Sequence, residues 1–152
     1  MTSRPAWPPS QLPASVRGTA VAADGRGLLL VGPSGRGKSS IALQMICLCA
    51  RLVSDVIVWL ERRDDVPWLA YPPQAPQPPR IEARGVGLIP FETGPSAPLH
   101  LLVDLGRIET ARLPEDAMVE VAGMPVRRLH KVDNPAFPAM VLQYLLRVDP
   151  GE

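Results

Sequence analysis

The chain has 152 residues, the length of one domain; two domains would each be too small to bury a substantial core. Its 46% apolar and 20% charged residues exclude a globally disordered chain. Sixteen Lys and Arg against fifteen Asp and Glu leave a net charge of +1, which excludes a protein built mainly to bind a polyanion such as DNA. No apolar run approaches the roughly 18 residues that would span a bilayer.

The segment Met1–Gln11 carries Trp7 and three prolines where a secretory signal would carry an apolar core. Cys47 and Cys49 lie two apart in a predicted helix, on different faces, where they cannot readily pair. Both observations predict a cytoplasmic protein. Proline reaches 19 of 152 residues, against a usual share of about 5%. One cluster, Pro5, Pro8, Pro9 and Pro13, predicts a loose N-terminal tail over residues 1–14. A second, from Pro72 to Pro79, predicts an extended connection inside the domain, because helices and central strands would lose donors there. Of the sixteen basic residues only Lys38 and Lys131 are lysines.

Taken in order, Ser15–Ala22 reads as a strand and Asp24-Gly25 as a hairpin-type turn. Gly27–Val31 is a short apolar run of the kind found in buried strands. From Lys38 to Cys49, Ile41, Ala42, Met45, Ile46 and Cys49 follow a helical rhythm. Arg51–Ser54 and Ile57–Arg62 read as two extended segments around Asp55, and Asp64-Asp65 as a turn before Val66–Tyr71. Beyond the prolines come Arg80–Ile89, a strand at Leu99–Leu105 and a weaker one at Met118–Val121. Arg127–Lys131 reads as a basic loop containing His130, and His100 as a structural histidine within a strand. Asn134 is placed to cap a final helix over Pro135–Arg147.

One motif carries chemistry. Gly32-Pro33-Ser34-Gly35-Arg36-Gly37-Lys38-Ser39 fits G-x-x-x-x-G-K-[ST] in full, followed by Ser40 and flanked by an apolar strand and a helix. The glycines let backbone N–H groups turn inward around an anion, and the helix aims its positive end at the same point. Lys38 can reach the β- and γ-phosphates, and the Ser39 hydroxyl can join a Mg²⁺ shell. The motif predicts binding of a nucleoside triphosphate or a related phosphate compound.

The segments S-V-R-G at residues 15–18, GLLLVGPSGRGKSSIALQMI, ARLVSD and the more specific RIEARGVGLI together resemble the catalytic domain of bacterial HPr(Ser) kinase/phosphorylase. The likeness covers Ser15 to Arg147 and is greatest to the short alphaproteobacterial forms, which lack the family's separate N-terminal domain. It implies a P-loop α/β domain with a mixed sheet and few helices, spanning residues 15–150. It also implies phosphorylation of a serine of the phosphocarrier protein HPr from ATP or pyrophosphate, with dephosphorylation by phosphorolysis, in a homo-oligomer. By match, Lys38 and Ser39 would handle phosphates and Mg²⁺, and Glu82 would be a second metal-associated carboxylate. Arg84, Gly85 and Gly87 fall in the segment tied to catalysis in both directions, and Arg112 matches an arginine near the active site. The resemblance also gives the Arg127–Lys131 stretch, as the alternative to a solvated loop, a part in phosphorolysis and partner contact.

Three positions depart from the family pattern, two of them at expected catalytic residues. Arg17 stands where the family has histidine, and an arginine cannot shuttle a proton near neutral pH. Val56 replaces the second aspartate of a paired L-V-A-D-D, the carboxylate assigned to accept the serine proton. Asp55 remains, either as a substitute base or as a group that positions Mg²⁺. Cys49 also replaces a glycine at the helix C-terminus, where glycine suits a left-handed backbone. The departures predict weak transfer to HPr. A catalytically inactive nucleotide-sensing or HPr-binding regulator of the same family is one alternative, and a P-loop phosphotransferase or NTPase with a small substrate another.

Overall fold

The structure, a computed structural model, describes residues 7–149. Nine strands and two helices follow in the order β1 (Ala14–Ala23), β2 (Arg26–Val31), α1 (Lys38–Cys47), β3 (Arg51–Arg63), β4 (Val66–Ala70), β5 (Arg80–Ala83), β6 (Gly87–Pro90), β7 (Ala97–Ile108), β8 (Met118–Val121), β9 (Met124–Lys131) and α2 (Phe137–Arg147). The expected α/β architecture with a mixed sheet and few helices is present. Seven strands form one sheet in the order β2-β1-β3-β4-β7-β9-β8, and β2 also pairs with β7. Strands β2, β1, β3, β4 and β7 therefore close into a ring. The β2–β7 and β7–β9 pairs are parallel.

Two apolar cores follow from this closure. Val16, Leu29, Val58, Leu60, Leu69, Leu99 and Leu102, drawn from all five ring strands, pack together inside it. On the outer face, Leu28 and Leu30 of β2 and Leu101 and Val103 of β7 pack against Ile41 and Met45 of α1 and Val141 and Leu142 of α2. Burying each such side chain contributes about 1.5–3 kcal/mol. Asp24-Gly25 and Asp64-Asp65 both hold positive φ at their two positions, the backbone of tight hairpin turns. No helix among the described residues is long and apolar enough to cross a membrane.

Several expectations are corrected. The extended segments around Asp55 form the single strand β3, and Arg80–Ile89 folds as the β5–β6 hairpin, a separate two-stranded sheet. Arg127–Lys131 is not a loop but the second half of β9, in which Arg127 is buried. α1 ends at Cys47, so Cys49 lies beyond it, at φ 83. Asn134 does not cap α2; its side chain accepts from Ala136 N–H at 2.8 Å in the turn before the helix. Of the loose tail expected over residues 1–14, residues 1–6 lie outside the described residues, while residues 7–13 lie against the sheet: Trp7 and Leu12 pack on the inner core, and the Pro9 carbonyl accepts from Ala122 N–H at 3.0 Å.

Candidate functional site

The parallel strands β2, β7 and β9 run their carboxyl ends to the same edge, where ligands of α/β sheets bind. The glycine-rich segment, residues 32–37, leaves β2 at that edge and enters α1. Gly32, at φ 138, passes so close to β7 that a Cβ would meet Gly106 N at 3.2 Å. Gly37 caps α1 with a left-handed backbone at φ 95, and its carbonyl accepts from Ile41 N–H at 2.9 Å. Pro33, Ser34, Gly35, Arg36 and Ser40 are exposed along this turn, and Lys38 and Ser39 are half-buried. The Lys38 ammonium donates to the carbonyls of Gly32 at 2.7 Å and Pro33 at 3.2 Å. Burial first, then the nearby Arg17 guanidinium, lowers the Lys38 pKa below 10.5, against an opposing pull from Asp55.

Asp55 is the carboxylate the fold delivers to this loop. The Ser39 hydroxyl donates to its two oxygens at 3.1 and 3.2 Å, and the buried Thr19 hydroxyl donates to Oδ1 at 2.7 Å. A kink in β3 makes the approach. Leu52, Ser54, Val58 and Leu60 are buried, while Val56, in the same alternation, is 53% exposed and sits at φ 72. The Ser54 hydroxyl bonds to the Ile57 carbonyl across the kink. The strict alternation that would set Asp55 and its neighbour on opposite faces is broken there. Val56 pairs with Gly18 and Ile57 with Arg17, so the Arg17 and Val56 departures from the family pattern lie on adjacent strands beside the loop.

The other predicted residues are placed more loosely. Glu82 is exposed on β5, which packs beside α1 and β3, the elements that carry Ser39 and Asp55. Arg84 is exposed in the turn of the β5–β6 hairpin, with Gly85, and Gly87 opens β6; these line an open surface that Glu82 also lines. Arg112 is exposed in the loop after β7, at the same edge of the sheet. None of the three hydrogen-bonds to residues 32–40 among the described residues. Sequence reasoning missed two others and saw a third only as part of a basic stretch. Thr19 follows the S-V-R-G segment directly, Asp104 pairs with Val31 where β2 enters the loop, and Lys131 of the basic stretch donates to the Arg36 carbonyl at 3.2 Å. The scarcity of lysine was the signal for the last.

A strand–loop–helix unit of this geometry on a mixed sheet defines the class of P-loop α/β folds. The comparisons narrow it. Residues 11–94 match the HPr Serine kinase C-terminal domain. An HPr kinase/phosphorylase of Enterococcus faecalis is 35% identical over 127 residues, covering 76% of this chain and 40% of that protein. One from Leptothrix cholodnii is 38% identical over 120 residues, covering 69% and 36%. The chain thus spans two fifths or less of these two relatives. The Hpr(Ser) kinase/phosphatase from Coxiella burnetii shares the fold, with a TM-score of 0.71 over 88% of each chain at 19% identity. The chain belongs to the HPr Serine kinase C-terminal domain family.

Proposed function

We propose that residues 15–150 are an ATP-binding phosphotransferase domain that acts on a serine of HPr in the cytoplasm, slowly and as a homo-oligomer. The observation that carries the reading is the contact of Ser39 and Asp55 beside Lys38 at the glycine-rich turn. A hydroxyl and a carboxylate in contact form an oxygen-only donor pair, which fits a hard divalent cation such as Mg²⁺. When bound, that ion neutralises charge on the phosphates. The chain's own residues do the rest: Lys38 binds the phosphates, and Thr19 and Ser39 hold the Asp55 carboxylate in place. Asp55 is thereby committed to the loop rather than to proton removal. Glu82, Arg84 and Arg112 complete the site only if the hairpin and the 109–117 loop close on the substrate. Pyrophosphate could replace ATP as donor, and the reverse reaction would use phosphate.

The names of the relatives support HPr as acceptor. The test is transfer of labelled phosphate from ATP to HPr, with a slow signal on serine expected; no transfer alongside intact ATP binding would refute the enzyme reading. A second reading is favoured by Arg17 and Val56, which occupy paired strands beside Lys38 where the family places a histidine and an aspartate. In it the domain senses nucleotide and binds HPr without modifying it.

A further inference from the structure

The chain contains two lysines, and the fold brings both ammonium groups to one turn of backbone. Lys38 donates to Gly32 and Pro33, while Lys131, 93 residues further along, donates to the Arg36 carbonyl at 3.2 Å. Its Nζ also lies 4.0 Å from where a Cβ on Gly37 would stand. Lys131 arrives by a specific device. Strand β9 pairs with β7 in register up to Asp104 and His130, and the next pair is Ile108 with Lys131. The intervening residues of β7 bulge out, and Glu109 N–H donates to the Lys131 carbonyl at 2.7 Å, fixing the end of β9 beside the loop.

The charge arrangement points to an anion. Arg127, four residues earlier on β9, is ion-paired with Asp116 at 3.1 Å. Neither lysine forms an ion pair among the described residues, and Lys131 engages one carbonyl with an ammonium that has three donors. Two ammonium groups, the nearby Arg17 guanidinium and the positive end of α1 converge on residues 32–38, against the single Asp55 carboxylate held by Ser39, and that excess of positive charge suits a polyanion.

We propose that Lys131 is a second phosphate-contacting residue of the loop, supplied by β9, and that it binds the same polyphosphate chain as Lys38. The inference rests on the loop being a phosphate site, so the test separates the two. Calorimetric titration with magnesium pyrophosphate, which carries no base or sugar, compares the wild type with Lys131→Met, Lys131→Arg and Lys38→Met. Removing a charge-assisted contact should weaken binding about tenfold or more in Lys131→Met. Lys131→Arg, which keeps the charge, should stay within about threefold of wild type. If Lys131→Met does not fold, Lys131→Gln against Lys131→Arg decides by the same margin. Wild-type affinity in Lys131→Met, or equal losses in Lys131→Met and Lys131→Arg, would overturn the proposal while Lys38→Met still abolished binding. Unchanged affinity in Lys38→Met would overturn the phosphate-site reading itself, and this proposal with it.

Discussion

Replacing Val56 with aspartate restores the carboxylate that the family pairs with Asp55. General-base catalysis is worth roughly 10²- to 10⁴-fold, or about 3–5 kcal/mol at 1.36 kcal/mol per decade. The gain here should be at least tenfold but below the upper part of that range, because Arg17 lies on the neighbouring strand and would hold the new carboxylate ionised and weakly basic. Adding Arg17→His should raise it further. The stability terms nearly cancel. Val56 is 53% exposed, so its removal forfeits about 1 kcal/mol of burial. Its backbone is left-handed at φ 72, a cost of about 1–2 kcal/mol that aspartate tolerates better. The variant should therefore melt within a few degrees of the wild type, and a change in rate would report chemistry. The assay is initial-rate transfer of labelled phosphate to HPr under saturating ATP. Full activity in the unmodified protein would show that another residue removes the proton, and insensitivity of that activity to Asp55→Asn would refute the part given to Asp55 at the loop.

Three further outcomes are expected. Cys49→Gly should raise the melting temperature by about 1–4 °C, because a left-handed cysteine at φ 83 costs about 1–2 kcal/mol and glycine returns part of that to chain entropy; a lower melting temperature would contradict this. Asp55→Asn keeps the shape of the acceptor but removes its charge, so chelating Mg²⁺ should weaken ATP binding at least tenfold in the wild type and far less in the variant, measured by calorimetry with and without chelator. Burial, assisted by Arg26 and opposed by the Val148 carbonyl and Asp149, lowers the His100 pKa below 6.5. The unfolded chain then takes up the proton first, so stability falls as pH drops through 6.5, and His100→Gln should flatten the melting temperature between pH 7.5 and pH 5, checked by calorimetric scans.

The strand, loop and helix around Lys38 were legible because an apolar run, a glycine spacing and a helical rhythm are local signals. The left-handed position at Cys49 was legible from the family's glycine. Ring closure was not, since it depends on β7 meeting both β2 and β4 across long separations. Strand β9 was hidden by its composition: buried Arg127 is matched by Asp116 and the Tyr144 hydroxyl, partners that lie elsewhere in the chain. The hold on Asp55 was obscured because its alternation is broken by a valine in a backbone conformation that valine rarely adopts.

The loop's capacity for nucleotide is the claim on which every other statement about function depends. Titration of ATP with Mg²⁺ into the wild type and Lys38→Ala, followed by calorimetry, measures it directly. Binding by the wild type, with affinity lost or reduced at least a hundredfold in the variant, is the predicted result. Equal affinity in the two proteins would contradict the assignment of Gly32–Ser39 as the phosphate site.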